Sequence, residues 1–269
     1  QVSYAISASI ATGATFNPSN YTITYVNGTM NVNPAALTIT ANDISKTYGS
    51  AYTFLGSEFT SSGLQNGDTV GSVTLASAGA PATANQGTYA ITASNATGGT
   101  FNASNYTITY VNGTMTVNPA ALTITANDIS KTYGSAYTFL GSEFTSSGLQ
   151  NGDTVGSVTL ASAGAPATAN QGSYAITASN ATGGTFNASN YTITYVNGTM
   201  TVNPAALTIT ANDISKTYGS TYTFLGSEFT SSGLQNGDTV GSVTLASSGA
   251  AATANQGSYA ITASNATGG

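Results

Sequence analysis

"NYTITYVNGTMTVNPAALTITANDISKTYG" occupies residues 105–134, and the same letters return without change at residues 190–219. An earlier copy starting at Asn20 differs only at Asn31, where Thr116 and Thr201 stand later. A stretch repeated so faithfully is not tuned to one unique site, so its reading decides the fold of the whole chain. Tyr106, Ile108 and Tyr110 alternate with Thr107 and Thr109, the period-two signature of a half-buried strand. Asn112-Gly113 is the strongest short-range signal for a type I′ turn, since both residues tolerate positive φ. The expectation is a hairpin over 106–117, with Val111 opposite Thr114, Tyr110 opposite Met115, Thr109 opposite Thr116 and Ile108 opposite Val117. One face collects Tyr106, Ile108, Tyr110, Met115 and Val117, and threonines take the other.

Working outward, Leu37, Leu122 and Leu207 recur at a spacing of 85 residues, as do Gln1, Gln86, Gln171 and Gln256. The chain divides into the C-terminal part of a repeat (1–36), two full repeats (37–121 and 122–206) and the N-terminal part of another (207–269). A period of 85 is long for a solenoid coil and suits a small autonomous domain. The chain begins at Gln1 rather than Met, which reads as a slice of a longer precursor. Further strands are expected at Leu122-Ile124-Ala126, Val73-Leu75 and Tyr89-Ile91. Turns are expected at Tyr48-Gly49-Ser50, Gln65-Asn66-Gly67-Asp68, Ala78-Gly79 and Thr97-Gly98-Gly99.

"FLGSEFTSSGLQ", residues 54–65, reads either as a strand with a bulge or as a helical turn led by Ser57. The first reading gives a sandwich, the second a β-grasp-like fold, and the two glycines favour the first. The fold class is therefore all-β: a tandem array of 85-residue β-sandwich (Ig-like) domains, with β-grasp as the alternative. Only Asn-Pro-Ala-Ala separates successive repeats, and Pro119 holds it extended, so an extended rod is expected.

Composition narrows the chemistry. Charged residues are 4% of the chain, against roughly 25% in average soluble proteins, and there is no His, Cys or Trp. A net charge of −6 with 3 Lys+Arg leaves no basic patch for nucleic acid or for an anionic membrane. No apolar run reaches the length of a membrane span. A neutral polar surface of Thr, Ser, Asn and Gly suits a secreted protein. No carboxylate pair at short spacing and no phosphate loop is present, so an enzyme is not expected and no catalytic, cofactor-binding or metal residue is assigned.

The segments LTITANDISKTYG, GLQNGDTV, GTYAITAS and NYTITYVNGTMTVNPAA together resemble the MBG-type repeat, the variety with a Tyr-Gly motif. Such repeats are found in very large bacterial surface proteins such as filamentous-haemagglutinin-like adhesins, and the resemblance covers every copy. It implies a secreted, multi-repeat β protein at the bacterial cell surface. The expected role is structural, as an adhesin stalk, extracellular filament or biofilm component, with neighbouring repeats or further copies as partners. Because the chain starts and stops within a repeat, strand complementation between units is expected as a variant. The competing expectation is a multivalent, low-affinity module for glycans or other cell surfaces, displayed on a Tyr-rich face. The alternative for the 16 tyrosines and 9 phenylalanines is that they are the core.

Some residues carry possible chemistry. Each full repeat has one lysine and one glutamate, giving Lys46 with Glu58, Lys131 with Glu143 and Lys216 with Glu228 as candidates for a self-catalysed isopeptide bond to an asparagine. The plain alternative is a solvated lysine near Asp43. Asn42, Asp43 and Asp68 could contribute to a calcium site, though Asp68 is explained by turn formation alone. Sequons occur at Asn20, Asn27, Asn95, Asn102, Asn105, Asn112, Asn180, Asn187, Asn190, Asn197 and Asn265, with Asn95, Asn102, Asn105, Asn180, Asn187 and Asn190 as the sites most open to glycosylation.

Overall fold

Alternation of apolar side chains with Thr and Ser makes nearly every ordered segment a strand, because each can bury one face and wet the other. The computed structural model describes residues 2–269; Gln1, used above as a repeat marker, lies outside them. The strands are β1 (Val2–Ile6), β2 (Gly28–Val32), β3 (Ala35–Ala41), β4 (Ile44–Thr47), β5 (Phe59–Ser62), β6 (Val70–Ala76), β7 (Gly87–Gly99), β8 (Tyr106–Val111) and β9 (Gly113–Asn118). The pattern recurs in β10 (Ala120–Ala126), β11 (Ile129–Thr132), β12 (Phe144–Ser147), β13 (Val155–Ala161), β14 (Gly172–Gly184), β15 (Tyr191–Val196) and β16 (Gly198–Asn203). It begins again in β17 (Thr208–Ala211), β18 (Phe229–Ser232), β19 (Val240–Ala246) and β20 (Thr262–Gly268). No α-helix occurs among the described residues, so the helical turn considered at Ser57 is not formed.

The chain forms two compact units. One comprises residues 2–120 with Gln150–Gly152 and Ser189–Thr192; the other comprises Ala121–Leu149, Asp153–Ala188 and Ile193–Gly269.

Within the repeat 37–121, strands of order β5-β3-β8 make one sheet and β4-β9-β7-β6 the other. Leu37 and Ile39 from the first sheet, and Val73, Leu75, Ile91 and Met115 from the second, meet in one buried core. Burying side chains of this size stabilises by roughly 1.5–3 kcal/mol each. Tyr52, Phe54, Tyr89, Phe101 and Tyr110 pack against it half-buried, supplying the bulk that a chain without Trp needs. This is a two-sheet sandwich, with one departure from immunoglobulin-like architecture: β3 with β8, and β4 with β9, are parallel.

The pairing expected for residues 106–117 is not found. β8 and β9 do not pair with each other; β8 joins β3 in one sheet, and β9 lies between β4 and β7 in the other. Neither Asn112 nor Gly113 has a positive φ, so there is no I′ turn there. The chain instead crosses from sheet to sheet. The predicted faces do hold, since Tyr106, Met115 and Val117 are buried while Thr107 and Thr114 are exposed. The I′-type geometry is found at the other Asn-Gly pair, where Asn66 (φ 53) and Gly67 (φ 76) close the turn with Asp68 N–H donating to the Gln65 carbonyl at 2.9 Å. Thr97-Gly98-Gly99, expected as a turn, continues β7, pairing Thr97 with Ser72 and Gly99 with Val70. A bulge with Asn95 at φ 49 bends this long strand, so that its first half pairs with β9 and its second with β6.

Candidate functional site

The feature on which a function can be built is the course of two chain segments side by side. Ala35 pairs with Tyr106 and Thr40 with Val111 in the first sheet; Ile44 pairs with Met115 and Thr47 with Asn118 in the second. The partner numbers differ by 71 throughout, so residues 35–47 and 106–118 run parallel in one continuous register while both change sheets at the same corner. Tyr48 N–H extends the pairing by donating to the Asn118 carbonyl at 2.8 Å. Ile129 with Met200 and Thr132 with Asn203 repeat the second half in the next copy at the same offset.

The corner is held by two residues. Asp43 Oδ1 accepts the Thr114 N–H at 2.7 Å, and Asp128 does the same for Thr199 at 2.7 Å. Gly113 passes so close that a Cβ would stand 2.5 Å from the Ala41 carbonyl oxygen and 2.7 Å from that of Asn42. Only glycine fits, for reasons of approach rather than of φ.

Lys46 and Glu58 are spent mainly on backbone groups. Lys46, on the clamped strand β4, is buried, and its Nζ donates to the carbonyls of Ser50 at 2.8 Å and Pro81 at 2.6 Å. Burial lowers its pKa. The Glu58 carboxylate accepts from the N–H groups of Leu55 and Gly56 at 2.9 Å and Ser57 at 3.0 Å. Partial burial pulls its pKa upward, but the backbone N–H bonds outweigh it and hold the carboxyl below the ordinary range. Lys46 and Glu58, proposed from sequence as an isopeptide pair, are thus engaged with different partners. The same holds for Lys131 with Glu143 and for Lys216 with Glu228. "FLGSEF" is therefore neither helix nor simple strand but a tight loop closed by its own glutamate, followed by β5.

That geometry carries an expectation. A group whose folded pKa is depressed stabilises above its unfolded pKa, roughly 4.3 for Glu, and the contribution is lost as pH falls through the folded value. Glu58→Gln is expected to destabilise the repeat 37–121 by about 1 kcal/mol at neutral pH. The gap between variant and parent should close on acidification below about pH 4, as denaturant unfolding at several pH values will record.

Of the residues considered for calcium, Asp43 is occupied at the corner, and Asp68 Oδ2 accepts the Tyr106 hydroxyl at 2.6 Å. That bond raises the Tyr106 pKa. Among the described residues no group of three or more His, Cys, Asp or Glu side chains could hold a metal ion. The sequons differ in access. Asn95, Asn102, Asn105, Asn180 and Asn187 are exposed. Asn190 is 1% exposed, and within its unit its Oδ1 accepts the Gln86 N–H at 2.8 Å while its Nδ2 donates to Asn85 Oδ1 at 2.9 Å. Tyr48 and Tyr191 meet edge to face in the same unit, with centroids 5.5 Å apart. Nothing in the sequence marks Asn190 as different from the identical Asn105; only its packing does.

The Tyr48-Gly49-Ser50 turn that ends the clamped strand, with Gly49 at φ 89, recurs at Tyr133-Gly134-Ser135 and Tyr218-Gly219-Ser220. The chain matches the MBG domain (YGX type) over residues 37–116, 122–201 and 207–269. It belongs to that family. MBG repeats thus account for most of its length, in tandem. No curated protein matches the chain. No helix among the described residues of this MBG array is long and apolar enough to cross a membrane.

Proposed function

We propose that this MBG array is a load-bearing spacer in a large secreted bacterial surface protein, serving as an adhesin stalk or extracellular filament. The observation that carries this reading is the parallel clamp. A repeat is entered along β3–β4 and left along β8–β9, and these two paths are parallel neighbours. Tension applied to the two ends pulls parallel strands in opposite directions, so the backbone bonds of the clamp share the load together. An antiparallel hairpin pulled at its open ends would break them one by one. Forced unfolding is governed by the barrier rather than by equilibrium stability, and a shear barrier of this kind is what a spacer under tension requires. Near-identical copies fit the same purpose, because a spacer gains length from repetition without needing specialised units. Tyrosines placed in the core, and charges consumed by backbone groups, leave little for chemistry.

A second reading, multivalent weak attachment to other surfaces, draws on Leu55, Leu140 and Leu225, each about four-fifths exposed at the same position of its repeat. Single exposed apolar side chains are ordinary on protein surfaces, so this observation is the weaker. Pulling single molecules by their ends separates the readings: the spacer requires high-force events from the repeats that contain a clamp, and unfolding without them would leave only the attachment reading.

A further inference from the structure

The compact units do not follow the repeat boundaries. Gln150–Gly152 and Ser189–Thr192 come from the repeat 122–206, yet they belong to the unit built on the repeat 37–121. Within that unit Asn151 Nδ2 donates to the Ala82 carbonyl at 3.1 Å, and the Gly49 N–H donates to the same oxygen at 3.1 Å. A carbonyl oxygen has two lone pairs, so both bonds can be made at once. The Gln150 side chain lies against Gly49, where a Cβ would stand 2.5 Å from its Oε1. Lys46 draws the two receiving loops together, since its Nζ donates to Ser50 in one and to Pro81 in the other. Asn190 adds its bonds to Asn85 and to the Gln86 N–H.

The second unit contains the same contact one period on. Asn236 Nδ2 donates to the Ala167 carbonyl at 3.0 Å, which also accepts the Gly134 N–H at 3.1 Å. A Cβ on Gly134 would stand 2.5 Å from the Gln235 side chain. Lys131 Nζ donates to the carbonyls of Ser135 and Pro166, as Lys46 does to those of Ser50 and Pro81. Tyr133 adds its hydroxyl, which donates to Asp238 Oδ2 at 2.9 Å.

We propose that the Tyr-Gly turn and the Pro-Ala loop of a repeat, fixed to each other by its single lysine, are a recognition site for the Gln-Asn-Gly-Asp turn of the following repeat. The partner is thus a polar turn of this same chain, and Lys46 and Lys131 are positioning residues that never touch it. The receiving groups are backbone carbonyls and N–H groups held at fixed spacing, which suits an amide side chain with its paired donor and acceptor. Each repeat is then stabilised by its successor, a nearest-neighbour coupling added to its own stability. The coupling is lost with the first of two repeats to open, because the last to unfold has no folded neighbour left.

A substitution in one repeat that is felt in another supplies the test. Met115→Ala makes the repeat 37–121 the first to unfold in denaturant, and the 269-residue chain carrying it is the reference. Asn151→Gly with Asn190→Ala, both in the repeat 122–206, remove the side chains that reach Ala82, Asn85 and Gln86. Glycine accepts the φ of 54 found at residue 151, so that turn keeps its form. The expected result is a folding equilibrium constant for the repeat 37–121 about tenfold smaller, with the later transition of the repeat 122–206 in place. An early transition that does not move overturns the site. A later transition that moves as far also overturns it, since the side chains would then serve their own repeat. If Asn190→Ala abolishes the later transition, Asn151→Gly alone decides by the same two results, with about fivefold expected. The measurement applies no force, so its failure would leave the load-bearing reading of the clamp standing.

Discussion

Gly113→Ala is expected to destabilise the repeat 37–121 by about 2–3 kcal/mol. The added Cβ meets two backbone carbonyl oxygens, of Ala41 at 2.5 Å and Asn42 at 2.7 Å, and neither is the movable end of a side chain. Both belong to the β3–β4 corner, so relief must come from separating the two paths that cross there. Asp43→Ala should act on the same corner by leaving the Thr114 N–H without its acceptor, at about 1–3 kcal/mol. Because the two contacts share one corner, the double variant should cost less than the sum of the singles. Denaturant unfolding resolves these effects from the neighbouring copy, because only the altered repeat shifts its transition. If Asp43→Ala leaves every transition at its parent midpoint, the corner is not built as described.

Met115→Ala is expected to cost about 2–5 kcal/mol. Its side chain is wholly buried, in the same core as Leu37, Ile39 and Ile91, and it belongs to the central strand β9, which is paired on both edges. A cavity there cannot be filled from solvent, and the surrounding strands are tied by their backbone bonds. The loss should appear as an early transition in denaturant, belonging to the altered repeat, while the repeat with Met200 unfolds at its usual midpoint. A chain of several such units is not two-state, so separate transitions are the proper readout.

Strands and their buried faces were legible because alternation reports a face directly: Tyr106, Met115 and Val117 point inward as Thr107 and Thr114 point outward. Partners were not legible, because alternation is the same whichever strand lies alongside. Asn112-Gly113 shows the cost of a local rule. The dipeptide fits a hairpin turn, yet here glycine serves close approach between segments 71 residues apart, a reason that no local window contains. At Asn66-Gly67 no such contact competes, and the local rule holds. Lys46 and Glu58 stood out as rare charges, and rarity suggested chemistry. Their use on the carbonyls of Ser50 and Pro81, and on the N–H groups of Leu55, Gly56 and Ser57, depends on loops whose shape the sequence does not spell out. Asp43 as the keystone of the corner was likewise hidden, since its partner Thr114 is distant in the chain. The family resemblance, carried by the Tyr-Gly turn and its flanking strands, was readable because those residues recur in every copy.

The measurement that tests the account most directly is to pull the 269-residue chain by its two ends, one molecule at a time. The clamp is present in the repeats 37–121 and 122–206 and absent from 207–269, where β17 pairs only with β18. Two high-force events are expected, each releasing about 300 Å of contour length as some 84 clamped residues extend, with residues 207–269 yielding at low force. Three equal events, or none above the low-force background, would contradict the claim that the parallel clamp bears the load.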